Sequence, residues 1–170
     1  MNRRLANMLR VARGVMAVVM LLTGPSAAAA DTALPTARDL AADAKSAARS
    51  GVPLIVLVSL AGCPHCEVVR RSHLLPLLRD AMAEPKPSIR QVEISGREML
   101  LDFMGREITH AEFAKRYNIN IAPVVLFFDA SGALLAEPLV GSMIPDFYGA
   151  YFDAAFDEAK SKLRTAGNKN

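Results

Sequence analysis

Two cysteines stand three positions apart in the stretch Gly62-Cys63-Pro64-His65-Cys66, and the chain has no others. A thiolate is the nucleophile of thiol–disulfide exchange, and a second thiol one helical turn away can attack the mixed disulfide that the first has formed. At the start of a helix, Cys63 would meet unsatisfied backbone N–H groups and the positive end of the helix dipole, both of which favour the thiolate. Pro64 suits the first helical turn because its missing N–H has no partner there in any case. His65 can place a positive charge or a donor beside the sulfur. Cys63 therefore reads as the attacking thiol, Cys66 as the resolving thiol, and Pro64 and His65 as modulators. A structural disulfide is the first competing reading, but a bond closing so short a loop restricts the unfolded chain far less than a long-range one. A metal half-site is the second. Zinc needs more ligands than the pair provides; His73 lies two helical turns away and His110 reads as a solvated first-turn residue. Neither a metal nor an organic cofactor is expected.

The elements that must position this pair are legible on both sides of it. Residues 53–60, Pro-Leu-Ile-Val-Leu-Val-Ser-Leu, form an almost continuous apolar, β-branched run of strand length, as a strand covered on both faces requires. A helical pattern follows the cysteines, with Val68, Leu75, Leu78 and Met82 on one face and Pro76 inside it as a kink or break. Upstream, the chain reads as helix from Pro35: Thr36 with Asp39 resembles a capping box, and Leu40, Ala44 and Ala47/Ala48 make one apolar face before Gly51 ends it. Downstream, Glu84-Pro85-Lys86-Pro87 is a turn and residues 89–94 alternate as a second strand. Residues 95–108 show no clear period; Met99, Phe103 and Met104 within them read either as a rim for a substrate polypeptide or, the reading we favour, as at least two buried side chains. Thr109 with Glu112 caps a further helix carrying Phe113 and Tyr117. Residues 123–128 form a strand, Asp129-Ala130-Ser131-Gly132 a hairpin turn, and residues 133–140 its partner. A last helix over 145–163 carries a stripe of Tyr148, Tyr151, Phe152, Ala155, Phe156, Ala159 and Leu163, read as core packing. The order predicts an α/β domain with a mixed sheet, parallel in its first half and antiparallel in its second.

The first 30 residues read as a separate address. Arg3, Arg4, Arg10 and Arg13 precede the apolar run 15–22, and Pro25-Ser26-Ala27-Ala28-Ala29-Ala30 follows it. This is the pattern of a secretory signal peptide cleaved after Ala30, and its apolar run is too short for a stable membrane anchor. Arg3-Arg4 gives little support for the twin-arginine route. The segment carries four of the 20 basic residues and none of the 17 acidic ones, so the remainder holds 16 against 17 and is close to neutral. The basic character therefore belongs to the leader, and no case for nucleic-acid binding survives its removal. The domain reading is a leader over 1–30, one domain over 31–164 and a flexible polar tail over 165–170. Localisation is expected to be periplasmic or secreted, an oxidising setting in which disulfides persist. Leu60-Ala61-Gly62-Cys63 also matches a lipobox, but a lipobox ends a signal peptide and a better one ends some thirty residues earlier.

A C-x-x-C motif after a buried strand, a downstream Ile121-Ala122-Pro123 before another strand, and an Asp-x-x-Gly hairpin together resemble the thioredoxin superfamily, in matching order from about Thr36 to Leu163. The nearest resemblance is to exported thioredoxin-like proteins of bacterial envelopes, including the type associated with periplasmic sulfur-oxidation systems. It implies a thioredoxin-like fold with a central mixed sheet of about four strands flanked by helices. It also implies a cis peptide at Pro123, with Ala122 and Pro123 lining a substrate groove, and a thiol–disulfide oxidoreductase acting on protein thiols and disulfides with a membrane redox partner. A monomer is expected. Pro64-His65 is similar to the dipeptide of the DsbA family of oxidases, while the compact scaffold resembles thioredoxin; the reading leans slightly to a reductase, with a DsbA-like oxidase or isomerase as the alternative. An alternative of another class is a peptide-binding or chaperone module with a passive disulfide. Three positions depart from the family pattern: Gly62 stands where a Trp is usual, Leu57 where a buried acid is usual, and Ala122 where a Thr is usual. Water, His65 or Glu67 are the candidates left for handling protons.

Overall fold

The computed structural model describes residues 33–141 and 145–167. The leader read over 1–30 and the last three residues of the polar tail, 168–170, lie outside them. The elements are α1 (Leu40–Arg49), β1 (Leu54–Ser59), α2 (Pro64–Val69), a π turn (Arg70–Leu74), α3 (Leu75–Arg79), β2 (Ser88–Glu93), β3 (Met99–Leu101), β4 (Glu107–Thr109), α4 (His110–Arg116), β5 (Val124–Phe128), β6 (Leu139–Val140) and α5 (Pro145–Gly167). Four strands form one sheet in the order β2-β1-β5-β6. β1 runs parallel to β2 and antiparallel to β5, which is antiparallel to β6. This is the mixed sheet that the sequence order predicts, and the fold is thioredoxin-like.

Every residue of β1 and β5 is buried, because successive side chains enter opposite faces and both faces are covered. Leu54, Val56, Val58, Leu126 and Phe128 meet α1, the β3–β4 hairpin and α4 on one side; Ile55, Leu57, Val125 and Phe127 meet α2, α3 and α5 on the other. The parallel β1–β2 pair demands a long crossover, and the cysteine helix supplies it.

Several expectations need correction. The first helix begins at Leu40, not near Pro35: Asp39 is its N-cap, accepting the Ala42 N–H at 2.8 Å, while Thr36 bridges to Gln91 beside the sheet. After Cys66 the buried positions are Val69, Leu74 and Leu75, whereas Val68 and Met82 are exposed. Pro76 lacks an N–H and its ring would strike the carbonyl of Ser72, so the chain takes a π turn just before it; the extra residue shifts the face that points inward. Met82 falls outside the helix because the Asp80 side chain accepts its N–H at 2.8 Å. The partner of β5 is interrupted: only Leu139 and Val140 form a strand, with a single bridge at Leu134, and Pro138 cannot donate between them. Tyr151 is exposed, although Tyr148, Phe152, Ala155 and Ala159 of the same stripe are buried. The last helix reaches Gly167, into the segment read as a loose tail, supported by the ion pairs Asp157–Lys160 and Glu158–Lys162 and by Thr165 Oγ1 donating to Ser161 O.

The segment without a clear period is a two-stranded antiparallel hairpin, β3–β4. Its turn is organised by Asp102, whose buried carboxylate accepts from the N–H groups of Met104 and Arg106 at 2.8 and 2.9 Å, from Arg106 Nε at 2.9 Å, and from Arg116. Burial alone would raise the pKa of Asp102; the Arg106 N–H, the Arg116 guanidinium, the Met104 N–H and the Arg106 guanidinium outweigh it and hold the carboxyl well below the usual range. Met99 and Met104 are exposed and only Phe103 is partly buried, against the expectation that at least two would be covered. Nor can the three form a common rim beside Cys63. Phe103 packs on Phe128, which pairs with Leu54 at the start of β1, whereas Cys63 follows the end of that strand, about 17–20 Å away for six residues.

Candidate active site

β1 ends at Ser59, and the chain turns at once. Cys63 N–H donates to Leu60 O at 3.2 Å, closing a four-residue turn whose third residue, Gly62, has φ +70°. That left-handed conformation strains any residue with a Cβ, which gives a conformational reason for glycine at this position. Nothing lies within 4 Å of where a Cβ would stand, so space does not impose the choice.

Cys63 is the N-cap of α2, Pro64 occupies its first turn, and the Cys63 sulfur accepts the Cys66 N–H at 3.1 Å. One otherwise unpaired helix N–H is therefore spent on the sulfur. The two cysteines are joined as a disulfide with their Cα atoms 5.3 Å apart. Their surroundings differ sharply. Cys66 is fully buried, whereas Cys63 is partly exposed between exposed Gly62, Pro64 and His65.

The Ala122–Pro123 peptide is cis, as the resemblance implies, and Pro123 is buried while Ala122 is partly exposed. Val58 pairs with Val124, so Pro123 enters β5 at the same end of the sheet from which β1 delivers Cys63. Gly141 donates to Pro123 O at 2.8 Å, tying the end of β6 to this edge. Leu57 is fully buried among apolar side chains, so β1 brings no acid to the sheet beneath the cysteine helix at this position.

Two polar groups at this end, Arg70 and Glu93, were not singled out in the sequence, and a third, His110, was misread. Arg70, one turn after Cys66, donates to Ser59 Oγ at 3.2 Å and to Gln91 Oε1 at 3.0 Å, and pairs with Glu67. It thereby fastens the turn that follows the cysteine helix to the end of β1 and to β2. The spacing of Glu67 from Arg70 and Arg71, three and four residues, was the available signal. The hydrogen bond from Arg70, opposed by some desolvation, and then the charges of Arg70 and Arg71 hold the Glu67 carboxyl below its ordinary range. Glu67 is thus kept ionised and is a weakened proton acceptor.

Glu93 is the second group. Its Oε1 accepts the Ala61 N–H at 3.1 Å, within the turn that carries Cys63. The third is His110, which is buried and not solvated as expected: its Nδ1 accepts the Glu93 N–H at 3.1 Å, and its Nε2 lies 3.1 Å from Ala37 O. A carbonyl can only accept, so Nε2 carries the proton. His73 is committed elsewhere, packed against Tyr148 with ring centroids 4.8 Å apart; desolvation lowers its pKa, with the Asp153 carboxylate opposing. Among the described residues no group of three or more His, Cys, Asp or Glu is placed to hold a metal ion, and no helix is long and apolar enough to cross a membrane.

No family model and no curated protein matches the chain. Among solved structures, it is similar to a thioredoxin-fold protein from Helicobacter pylori, at 18% identity over 68% of this chain and 81% of that one, with a TM-score of 0.47.

Proposed function

We propose that the chain is an exported thiol–disulfide oxidoreductase acting on protein substrates, with Cys63 as nucleophile and Cys66 as resolving thiol. The observation that carries this reading is the asymmetry of the pair: Cys63 is reachable at a helix N-terminus with a backbone N–H on its sulfur, and Cys66 is buried one turn deeper. In the reductive direction the Cys63 thiolate attacks a substrate disulfide, forming a mixed disulfide and expelling one substrate sulfur as thiolate. The Cys66 thiolate then attacks the Cys63 sulfur, closing the Cys63–Cys66 bond and releasing the second substrate sulfur. Two electrons pass to the substrate, and its thiolates take protons from water. Ala122 and Pro123 line the approach, with Pro64 and His65 tuning the nucleophile. No metal or organic cofactor takes part.

The leader over 1–30 supports export to a periplasm, where a monomer would be returned to its dithiol form by a membrane electron donor. We lean to a reductase. The antiparallel half of the sheet is short here and leaves no room for the large helical insertion of the DsbA family, which supports the compact thioredoxin-type reading. The Pro64-His65 dipeptide favours the opposite direction, an oxidase, and equilibration with glutathione separates the two by potential. The reading as a protein-directed oxidoreductase is tested by Cys66→Ala in the native host. Loss of the resolving thiol should trap substrates on Cys63 as mixed disulfides identifiable by mass spectrometry. Recovery of no covalent partner, with insulin neither reduced nor oxidised by the wild type, would favour a binding module with a passive disulfide.

A further inference from the structure

We infer that Glu93 is the positioning acid of the redox pair, a carboxylate fixed to the turn that presents Cys63, whose negative charge restrains thiolate formation there and holds the couple toward its reducing side. The inference rests on the redox reading of Cys63 and Cys66 and assigns the residue that sets their poise.

Glu93 is the last residue of β2 and the register partner of Ser59, the last of β1. Its Oε1 holds the Ala61 N–H at 3.1 Å, and Ala61 belongs to the same turn that Cys63 closes on Leu60 O at 3.2 Å. Residues two apart have Cα atoms no more than about 7 Å apart, so the charge is bound in the neighbourhood of the nucleophile. Its own position is strongly fixed: Glu93 N–H donates to buried His110, and Glu93 O accepts from Gly96 N–H at 2.9 Å. A Cβ at Gly96 would stand 2.9 Å from the Glu93 Cβ, so the following loop closes tightly over it. Among the described residues no cation pairs with Glu93, unlike Glu67, which Arg70 and Arg71 compensate.

The charged and titratable groups around this edge are His65, Glu67 and Arg70 from the cysteine helix, Arg97 and Glu98 from the loop after β2, and His110 from α4. Of these, His110 is committed by both ring nitrogens. Like charge beside a sulfur disfavours its thiolate, against the helix N-terminus that favours it. Because the thiolate exists only in the reduced form, that opposition stabilises the disulfide relative to the dithiol. It supplies from the end of β2 an acid that Leu57 does not supply from β1.

The test compares wild type with Glu93→Gln and Glu93→Ala, reading the pH midpoint of Cys63 alkylation and the equilibrium in which the protein disulfide and two glutathione thiols give the protein dithiol and glutathione disulfide. Gln keeps the acceptor for Ala61 and removes the charge. The midpoint should fall by about half a unit to one unit, and the equilibrium should move toward the dithiol by roughly threefold to tenfold, about 15–30 mV. Both differences should shrink at 1 M salt, where a partly exposed charge is screened. Glu93→Ala should shift both readings in the same direction. Glu98→Gln, in the wall of the same cavity but without a bond to the turn, should move them less. A Glu93→Gln protein matching wild type in midpoint and potential overturns the inference, as does an equal shift from Glu98→Gln. A wild-type pair that fails to exchange with glutathione overturns the redox reading itself, a separate result.

Discussion

Arg70 offers a direct test of how the cysteine helix is held to the sheet. Arg70→Met keeps most of the apolar stem and removes the guanidinium, which bonds Ser59, Gln91 and Glu67. The Ser59 and Gln91 bonds should each contribute about 1 kcal/mol net. Ser59 is fully buried, so its hydroxyl, left without the guanidinium, adds about 1 kcal/mol of desolvation cost. The Glu67 side chain is 46% exposed, so that pair adds no more than about 0.5 kcal/mol. The expected loss is therefore about 3–3.5 kcal/mol, measured by urea unfolding of the oxidised protein with far-UV circular dichroism, since the chain has no Trp to report. Ser59→Ala removes the stranded hydroxyl, and the shared bond is lost only once, so the double variant should be about 2 kcal/mol more stable than Arg70→Met plus Ser59→Ala taken additively. A loss below about 0.5 kcal/mol, or strict additivity, would refute the clamp.

Other outcomes follow from the same geometry. Asp102→Ala should cost about 3 kcal/mol and Asp102→Asn less, because Oδ1 alone takes both backbone N–H groups and an amide keeps that oxygen. Since the folded-state pKa of Asp102 is depressed, its contribution is present above about pH 4 and lost as pH falls; the gap between wild type and Asp102→Asn should narrow between pH 5 and pH 2 in urea titrations. Gly132→Ala places a Cβ 2.5 Å from the Phe103 ring at φ +84° and should cost about 2–4 kcal/mol by thermal unfolding. Gly62→Ala, at φ +70° in open space, should cost only about 1 kcal/mol.

What could be read in the sequence, and what could not, divides on physical lines. β1 and β5 are buried on both faces, so their unbroken apolar runs were unambiguous; the Thr109–Glu112 capping box forms as its spacing implied. The cysteine pair stands at the predicted strand-to-helix junction, and the cis peptide at Pro123 is where the resemblance placed it. The β3–β4 hairpin left no periodic trace because its strands are three residues each and its turn depends on a buried aspartate satisfied by Arg106 within the turn and by Arg116 from α4. His110 was misread because a first-turn residue is ordinarily solvated, and only the approach of Ala37 and β2 encloses it. The clamp at Arg70 and the bond from Glu93 to Ala61 join residues separated by 21 and 32 positions, which no local pattern reports. The π turn is a response to Pro76, for which the sequence indicated disruption but not its form.

The central claim, an accessible nucleophile backed by a buried resolving thiol, is tested most directly by alkylating the fully reduced protein with a limiting amount of iodoacetamide at mildly acidic pH and locating the label by mass spectrometry. The account predicts that Cys63 is modified well before Cys66 and faster than a model thiol under the same conditions. Labelling of Cys66 first, or a Cys63 rate no greater than the model thiol's, would contradict it.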